Sequence, residues 1–230
     1  VALGLLVDGE PVVGVLGCPN LPPTDVTDTA DTRGSIFWAE VGCGSFSRPL
    51  DPSPGETEGW LADWMDDDSD DDSPPGDVRL HISAEADARK LVRCESVETG
   101  HSSHSLAAAA ADILVSRQQK PEAQVSQDAE ALAPPIRMDG QGKYGVVARG
   151  EAQVFMRLPR PGYVENIWDH VAGAVIVTEA GGTVSDLDGR PLDFSKGAKL
   201  SADVNGIIAT NGPLHSLLLQ AIRDAAQLQE

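Results

Sequence analysis

The sequence has few cysteines, few basic residues and no long apolar run, and each scarcity argues against a class of protein. Cys18, Cys43 and Cys94 form no Cys-x-x-Cys pair, which disfavours a disulfide framework or a zinc site and fits a reducing compartment. The sequence has 17 Lys and Arg residues and 36 Asp and Glu residues, which give a net charge of −19. This charge disfavours nucleic acid and anionic membrane surfaces as partners. No stretch reaches the roughly 18 apolar residues that a membrane helix needs, and no signal peptide is visible. We expect a missing N-terminus, which leaves targeting open, so a cytoplasmic location is only the default.

The negative charge is concentrated in one segment. Residues 51–77 hold 11 acidic residues and no Lys or Arg, including an aspartate-rich run at 66–72. Such a run cannot bury its charge and repels itself, which predicts a solvated surface insertion over residues 49–77. A calcium loop is disfavoured because the run lacks the required glycine and the closing glutamate. Residues 116–135, rich in Gln, Ala and Pro, predict a second surface insertion.

The first quarter of the chain has the pattern of antiparallel strands. Apolar runs at residues 1–7 and 11–17 flank Asp8-Gly9, a dipeptide typical of a tight hairpin turn. Residues 36–41 predict a further strand before the turn at Gly42.

Helices are predicted mainly in the second half, at residues 84–92 (begun by Ser83), 105–115, 141–149, 169–180 and 214–225. The last of these repeats apolar residues at helical spacing and is therefore amphipathic. Strands in runs, with helices between and after them, predict an α/β fold of the α+β layered kind.

Trp168-Asp169 opens the predicted helix at 169–180 and is the best-marked candidate for chemistry. An Asp at a helix start normally caps a backbone N–H group, a contribution of about 1 kcal/mol. The same position can serve a ligand, because helix N–H groups attract phosphate and a carboxylate there can hold a divalent metal. Ala172 and Gly173 leave room for a ligand near the first turn. Composition alone leaves both interpretations open.

Longer strings around this position resemble a known family. Residues 167–173 (Ile-Trp-Asp-His-Val-Ala-Gly) with 178–182 (Thr-Glu-Ala-Gly-Gly) resemble the C-terminal signature of the inositol monophosphatase superfamily. Residues 94–98 (Cys-Glu-Ser-Val-Glu), 100–104 (Gly-His-Ser-Ser-His) and 154–159 (Val-Phe-Met-Arg-Leu-Pro) resemble its 3′(2′),5′-bisphosphate nucleotidase branch. The resemblance covers nearly the whole chain except the two insertions.

The resemblance implies a fold of alternating helix and sheet layers and a division of the chain. Residues 1–48 would be the last strands of an N-terminal α+β domain. Residues 49–77 would be the acidic insertion, and 78–230 a C-terminal α/β domain that carries the second insertion at 116–135.

The resemblance also implies roles for individual residues. Asp169 matches a metal ligand beside the reacting phosphate, and His101 matches a residue that contacts the nucleotide. Lys143 and Arg157 match a basic pair that holds the second phosphate, a role that suits their charges. Tyr163 is a weaker candidate for packing against the base.

The implied activity is Mg²⁺-dependent hydrolysis of a phosphate monoester. The favoured substrate is adenosine 3′,5′-bisphosphate, cleaved to AMP, with its sulfated relative as a second substrate and lithium or sodium as inhibitors. The family's Asp-Pro-x-Asp motif is absent from the sequence, and Gly140 stands where some nucleotidases have serine. Because the chain opens with Val1 inside an apolar run, we expect a fragment whose other metal ligands lie upstream and which is inactive alone.

Two other functions remain open at this level. A related enzyme could hydrolyse inositol phosphates, and a degenerate member could act as a non-catalytic binding or regulatory module. His101 and His104 are three residues apart, as metal ligands can be, but no third ligand is spaced with them. Hydrogen bonding at the entry of a helix is therefore the favoured role for this pair.

Overall fold

The structure, a computed structural model, describes residues 1–29, 31–51, 76–98, 100, 102–118 and 132–228. Most of the two predicted insertions, and His101, lie outside the described residues, so the predictions made for them stay predictions. The helices of the described part are too short or too polar to cross a bilayer.

The first sheet is antiparallel, and its five strands follow one another in chain order. They are β1 (Ala2–Val7), β2 (Glu10–Cys18), β3 (Ser35–Glu40), β4 (Gly44–Pro49) and β5 (Val78–Arg79). The predicted hairpin between β1 and β2 is confirmed. Asp8 and Gly9 have φ angles of 52° and 88°, and positive φ at both central residues is what a type I′ turn requires.

The second sheet is mixed and has the order β7-β6-β8-β10-β9. Its strands are β6 (Arg93–Glu95), β7 (Ile136–Arg137), β8 (Val154–Arg157), β9 (Thr183–Asp186) and β10 (Ile207–Thr210). β6 runs parallel to β7 and β8, whereas β10 pairs antiparallel with β8 and β9.

Four α-helices complete the described part of the chain. They are α1 (His104–Gln118), α2 (Gly142–Ala148), α3 (Val171–Glu179) and α4 (His215–Gln227). The predicted amphipathic character of the closing helix is confirmed, because α4 buries Leu218, Ala221, Ile222 and Ala225 on one face. α3 differs from it, since every residue from Val171 to Val177 is buried.

The second sheet separates two helix layers. Phe155 on β8 packs in one apolar cluster with α2, α3 and the first sheet. Its neighbours Val154 and Met156 point to the other face, where they pack with α1 and α4. The order is therefore first sheet, α2 and α3, second sheet, α1 and α4. This arrangement confirms the predicted layered α/β fold.

The predicted helix at 84–92 is wrong except for one 3₁₀ turn, Ala88–Lys90, capped by Asp87. A side chain that is distant in sequence satisfies backbone groups of this segment by hydrogen bonding. Asn211 Nδ2 donates to the carbonyl oxygens of Ser83 and Glu85 at 3.0 and 2.7 Å. Backbone groups that are satisfied in this way do not need a helix.

The predicted segment boundaries differ from the observed elements in two places. β5 (Val78–Arg79) pairs with β4, so the first sheet contains residues that were assigned to the C-terminal domain at 78–230. α1 runs to Gln118, three residues into the predicted insertion at 116–135. The division into two domains stays a prediction.

Gly173→Ala should lower the free energy of unfolding by about 2 kcal/mol, the cost typical of overpacking a core. A Cβ at Gly173 would lie 2.2 Å from Tyr144 Cγ, whereas a Cβ at Gly142 meets the flexible Met138 side chain at 3.3 Å. Gly142→Ala, the matched control on α2, should change stability by less than about 0.5 kcal/mol. Urea denaturation measures both, and equal effects would contradict this packing account.

Candidate active site

The chain reaches α3 through a separate 3₁₀ turn, Ile167–Asp169. The predicted helix start at Asp169 is therefore two residues too early, because α3 begins at Val171 and its N-cap position is His170. The predicted capping role of Asp169 is also wrong, since the N-cap residue is His170 and its side chain makes no capping hydrogen bond. The single hydrogen bond that the described residues donate to the Asp169 carboxylate comes from Asn166 Nδ2, at 3.2 Å.

Asp169 lies where two pockets meet. The smaller pocket, of about 280 Å³, is lined by the two basic candidates, Lys143 and Arg157. The larger one, of about 830 Å³, extends toward β2 and β7. Gly140, Gln141 and Asp169 line both pockets, so a ligand that crosses from one to the other passes this carboxylate.

Lys143 is the more buried of the two cations, with 4% of its surface exposed. Its Nζ donates to the carbonyl oxygens of Met138 and Gly140 at 3.0 and 2.7 Å. An ammonium group has three N–H bonds, so one remains for a ligand in the pocket. Burial lowers the pKa of Lys143 to about 8, although Asp139 acts in the opposite direction.

Arg157, at the end of β8, is held by Glu165. Its Nε donates to Glu165 Oε1 at 2.7 Å and its Nη2 to Oε2 at 3.4 Å. Burial raises the pKa of Glu165, but hydrogen bonds from His170 and Arg157 outweigh it and hold that pKa below the ordinary value. Glu165 is therefore ionised at neutral pH.

Sequence reasoning missed the buried polar groups behind the two cations. His170 Nε2 lies 3.2 Å from Glu165 Oε2, and His170 Nδ1 lies 2.8 Å from the Tyr144 hydroxyl. The three side chains line the smaller pocket together with Arg157. The sequence held one signal for this group, the position of His170 directly after Asp169. Glu165 and Arg157 are eight residues apart, and this spacing is not typical of any motif.

Tyr163 and Gly140 also line the smaller pocket. Tyr163 is 46% exposed, and the Arg157 guanidinium lies 5.7 Å from its ring centre. Gly140 has a φ angle of 71°, a conformation in which serine would be strained. Gln141 Nε2 donates to the Trp168 carbonyl oxygen at 2.7 Å and so ties the start of α2 to the turn that carries Asp169.

The structure thus brings Asp169, Lys143, Arg157 and Tyr163 to one pocket. His101 lies outside the described residues. His104 Nε2 is buried without a partner in the described part, and the helix-entry hydrogen bonding predicted for the pair stays a prediction. Ser103 Oγ instead accepts the Leu106 N–H at this helix start, at 3.3 Å.

The described residues fit one ligand of a magnesium site. Asp169 offers carboxylate oxygens, which Mg²⁺ prefers. Among the described residues, however, no three His, Cys, Asp or Glu side chains come together in a group that could hold a metal. A complete site therefore needs ligands from beyond these ranges.

The chain is similar to plant nucleotidases over its full length. It is 36% identical over 234 residues to a 3′(2′),5′-bisphosphate nucleotidase of Oryza sativa. It is 39% identical over 236 residues to 3′(2′),5′-bisphosphate nucleotidase 1 of Arabidopsis thaliana. These matches take in 100% of this chain but 55% and 56% of the relatives, so the chain spans about half of their length.

Solved structures share the fold at lower identity. Mycobacterium tuberculosis SuhB matches with a TM-score of 0.54 and 16% identity, over 98% of this chain and 63% of that one. CysQ from Bacteroides thetaiotaomicron matches with a TM-score of 0.54 and 18% identity, over 92% and 62%. Residues 1–227 match the inositol monophosphatase family. The chain therefore belongs to the inositol monophosphatase family.

Proposed function

We propose that this chain belongs to a Mg²⁺-dependent 3′(2′),5′-bisphosphate nucleotidase, a phosphomonoester hydrolase that converts adenosine 3′,5′-bisphosphate to AMP and phosphate. The observation that carries the proposal is one pocket lined by a carboxylate, Asp169, and by two cations, Lys143 and Arg157. A bisphosphate needs both kinds of group, because one phosphate reacts and the other must be held. The nucleotidase names of relatives 36% and 39% identical support the same choice.

In this proposal Asp169 would be one magnesium ligand, and the remaining ligands would come from outside the described residues. When bound, Mg²⁺ supplies positive charge that polarises the phosphoryl oxygens. Lys143 and Arg157 contact the second phosphate, and this contact orients the substrate so that its 3′-phosphate lies at Asp169. Tyr163, half-exposed at the rim, offers an aromatic face to the base.

The sulfated relative of the substrate carries the same two phosphates, so the pocket should accept it as well. Lithium and sodium inhibition and a place in sulfur metabolism are further parts of the proposal, which rest on the family resemblance. His101 retains its proposed contact with the nucleotide.

Asp169→Asn should reduce kcat on adenosine 3′,5′-bisphosphate at least about 100-fold, or about 2.7 kcal/mol of transition-state stabilisation. Asparagine can still accept the hydrogen bond from Asn166, so the fold should remain intact. Steady-state kinetics at saturating Mg²⁺, in the protein made from the complete coding sequence, measures the change. The exposed Asp112 on α1 provides the control Asp112→Asn, which should leave kcat unchanged. Wild-type turnover by Asp169→Asn would refute a metal-binding role.

Lys143→Ala should separate the nucleotidase from an inositol phosphatase. We expect kcat/KM to fall about tenfold, or 1.4 kcal/mol, on adenosine 3′,5′-bisphosphate because the second phosphate loses a charged partner. On inositol 1,4-bisphosphate, which has no nucleotide 5′-phosphate for Lys143 to contact, the change should be less than about twofold. A wild-type protein that prefers the inositol substrate would overturn the nucleotide assignment.

The pH dependence of kcat/KM should report the buried lysine. Since the pKa of Lys143 is about 8, the ammonium is charged below that pH and loses its charge as the pH rises through it. The kcat/KM for adenosine 3′,5′-bisphosphate should therefore decline above pH 8 in the wild type. Lys143→Met, which cannot titrate, should be slower and lack this decline. The same decline in kcat/KM above pH 8 in both proteins would contradict the assignment of this decline to Lys143.

A further inference from the structure

A chain of four polar side chains runs from the core to the candidate pocket. It begins at the Tyr144 hydroxyl, passes through His170 and Glu165, and ends at the Arg157 guanidinium. Tyr144 is fixed in the core, with 1% of its surface exposed and its ring edge-on to Phe155 at a centroid distance of 5.0 Å. All four side chains line the pocket, and Arg157 is connected through the other three to a rigid point of the core.

Hydrogen bonds link the four side chains. Glu165 is ionised and can only accept, so His170 donates from Nε2. The other ring nitrogen of His170, Nδ1, is hydrogen-bonded to the Tyr144 hydroxyl at 2.8 Å, so the imidazole is held at both nitrogens. Burial raises the pKa of Tyr144, so the hydroxyl keeps its proton.

The contact with Glu165 occupies one edge of the Arg157 guanidinium. Nε and one N–H of Nη2 point to the carboxylate, which is fully buried. A guanidinium has five N–H bonds in a fixed plane, so the second N–H of Nη2 and one N–H of Nη1 form another edge. That edge has the fork geometry that phosphate accepts from arginine.

We infer that Glu165 is a positioning residue for the second phosphate: it orients Arg157, and Tyr144 and His170 hold Glu165 in place. The inference rests on the proposed nucleotidase function and adds a determinant of its preference for bisphosphates. Removal of a carboxylate beside an arginine raises the local positive potential and by charge alone strengthens anion binding. If Glu165 positions Arg157, its removal should instead weaken binding of the second phosphate, because a guanidinium without its partner loses its fixed orientation.

Glu165→Gln distinguishes the two effects in the protein made from its complete coding sequence. Two substrates are compared, adenosine 3′,5′-bisphosphate and adenosine 3′-monophosphate, which lacks the second phosphate. We expect KM for the bisphosphate to rise about tenfold with kcat within about twofold, and both constants for the monophosphate to stay within about twofold. A lower KM for the bisphosphate, or equal changes on both substrates, overturns the inference.

Two further variants keep the test decisive. Tyr144→Phe retains the packed ring but removes the hydroxyl that is hydrogen-bonded to His170, and it should raise KM for the bisphosphate about threefold. If Glu165→Gln does not fold, an unchanged KM in Tyr144→Phe overturns the inference. Glu179→Gln is the matched control, because Glu179 accepts the Gly44 N–H at 3.0 Å outside the pocket. It should leave the preference unchanged, and a loss of preference equal to that of Glu165→Gln would also overturn the inference.

The wild type separates the two proposals. A wild-type protein with equal kcat/KM on both nucleotides contradicts the proposed function itself, and the role of Glu165 with it. A wild type that prefers the bisphosphate, with a Glu165→Gln variant that keeps this preference, overturns the positioning role alone.

Discussion

The close approach of α3 to its neighbours determines where the candidate site lies. A Cβ at Gly14 would stand 2.4 Å from the Ala172 carbonyl oxygen, and a Cβ at Gly173 would meet the Tyr144 ring. Interiors packed as densely as organic crystals tolerate little displacement, so these contacts fix the helix against the first sheet and α2. Asp169 lies two residues before α3, and its place in the pocket that Tyr144 also lines follows from this packing.

The same packing shapes the electrostatics of the pocket. A chain with a net charge of −19 repels a bisphosphate at long range, but the repulsion is screened within about 8–10 Å at physiological salt. Affinity must therefore come from short-range contacts. Lys143 and Arg157 provide them, and each is partly engaged by protein oxygens that fix its direction. The buried Glu165 is hydrogen-bonded to both Arg157 and His170, and it therefore connects the orientation of Arg157 to the core.

The layered fold was predictable because its signals are local. Asp8-Gly9 favours a type I′ turn, and apolar periodicity marks α4. Asp169 was marked by its place near a predicted helix start, whereas Lys143 and Arg157 rested on the family resemblance alone, since isolated charges carry no spacing of their own. Glu165 could not be found in this way, because its partners His170 and Arg157 meet it only after β8 and the turn before α3 have formed. The helix predicted at 84–92 failed for a similar reason, as Asn211 is 126 residues from the carbonyl of Glu85 that it satisfies.

The central claim is that one pocket holds a metal at Asp169 and a phosphate at Lys143 and Arg157. The most direct measurement is a crystal structure of the complete protein with AMP and Mn²⁺, with the metal located by its anomalous signal. The account predicts a manganese peak about 2.0–2.3 Å from an Asp169 carboxylate oxygen, with the 5′-phosphate in contact with both cations. A metal bound without Asp169, or a nucleotide whose phosphate lies away from Lys143 and Arg157, would contradict it.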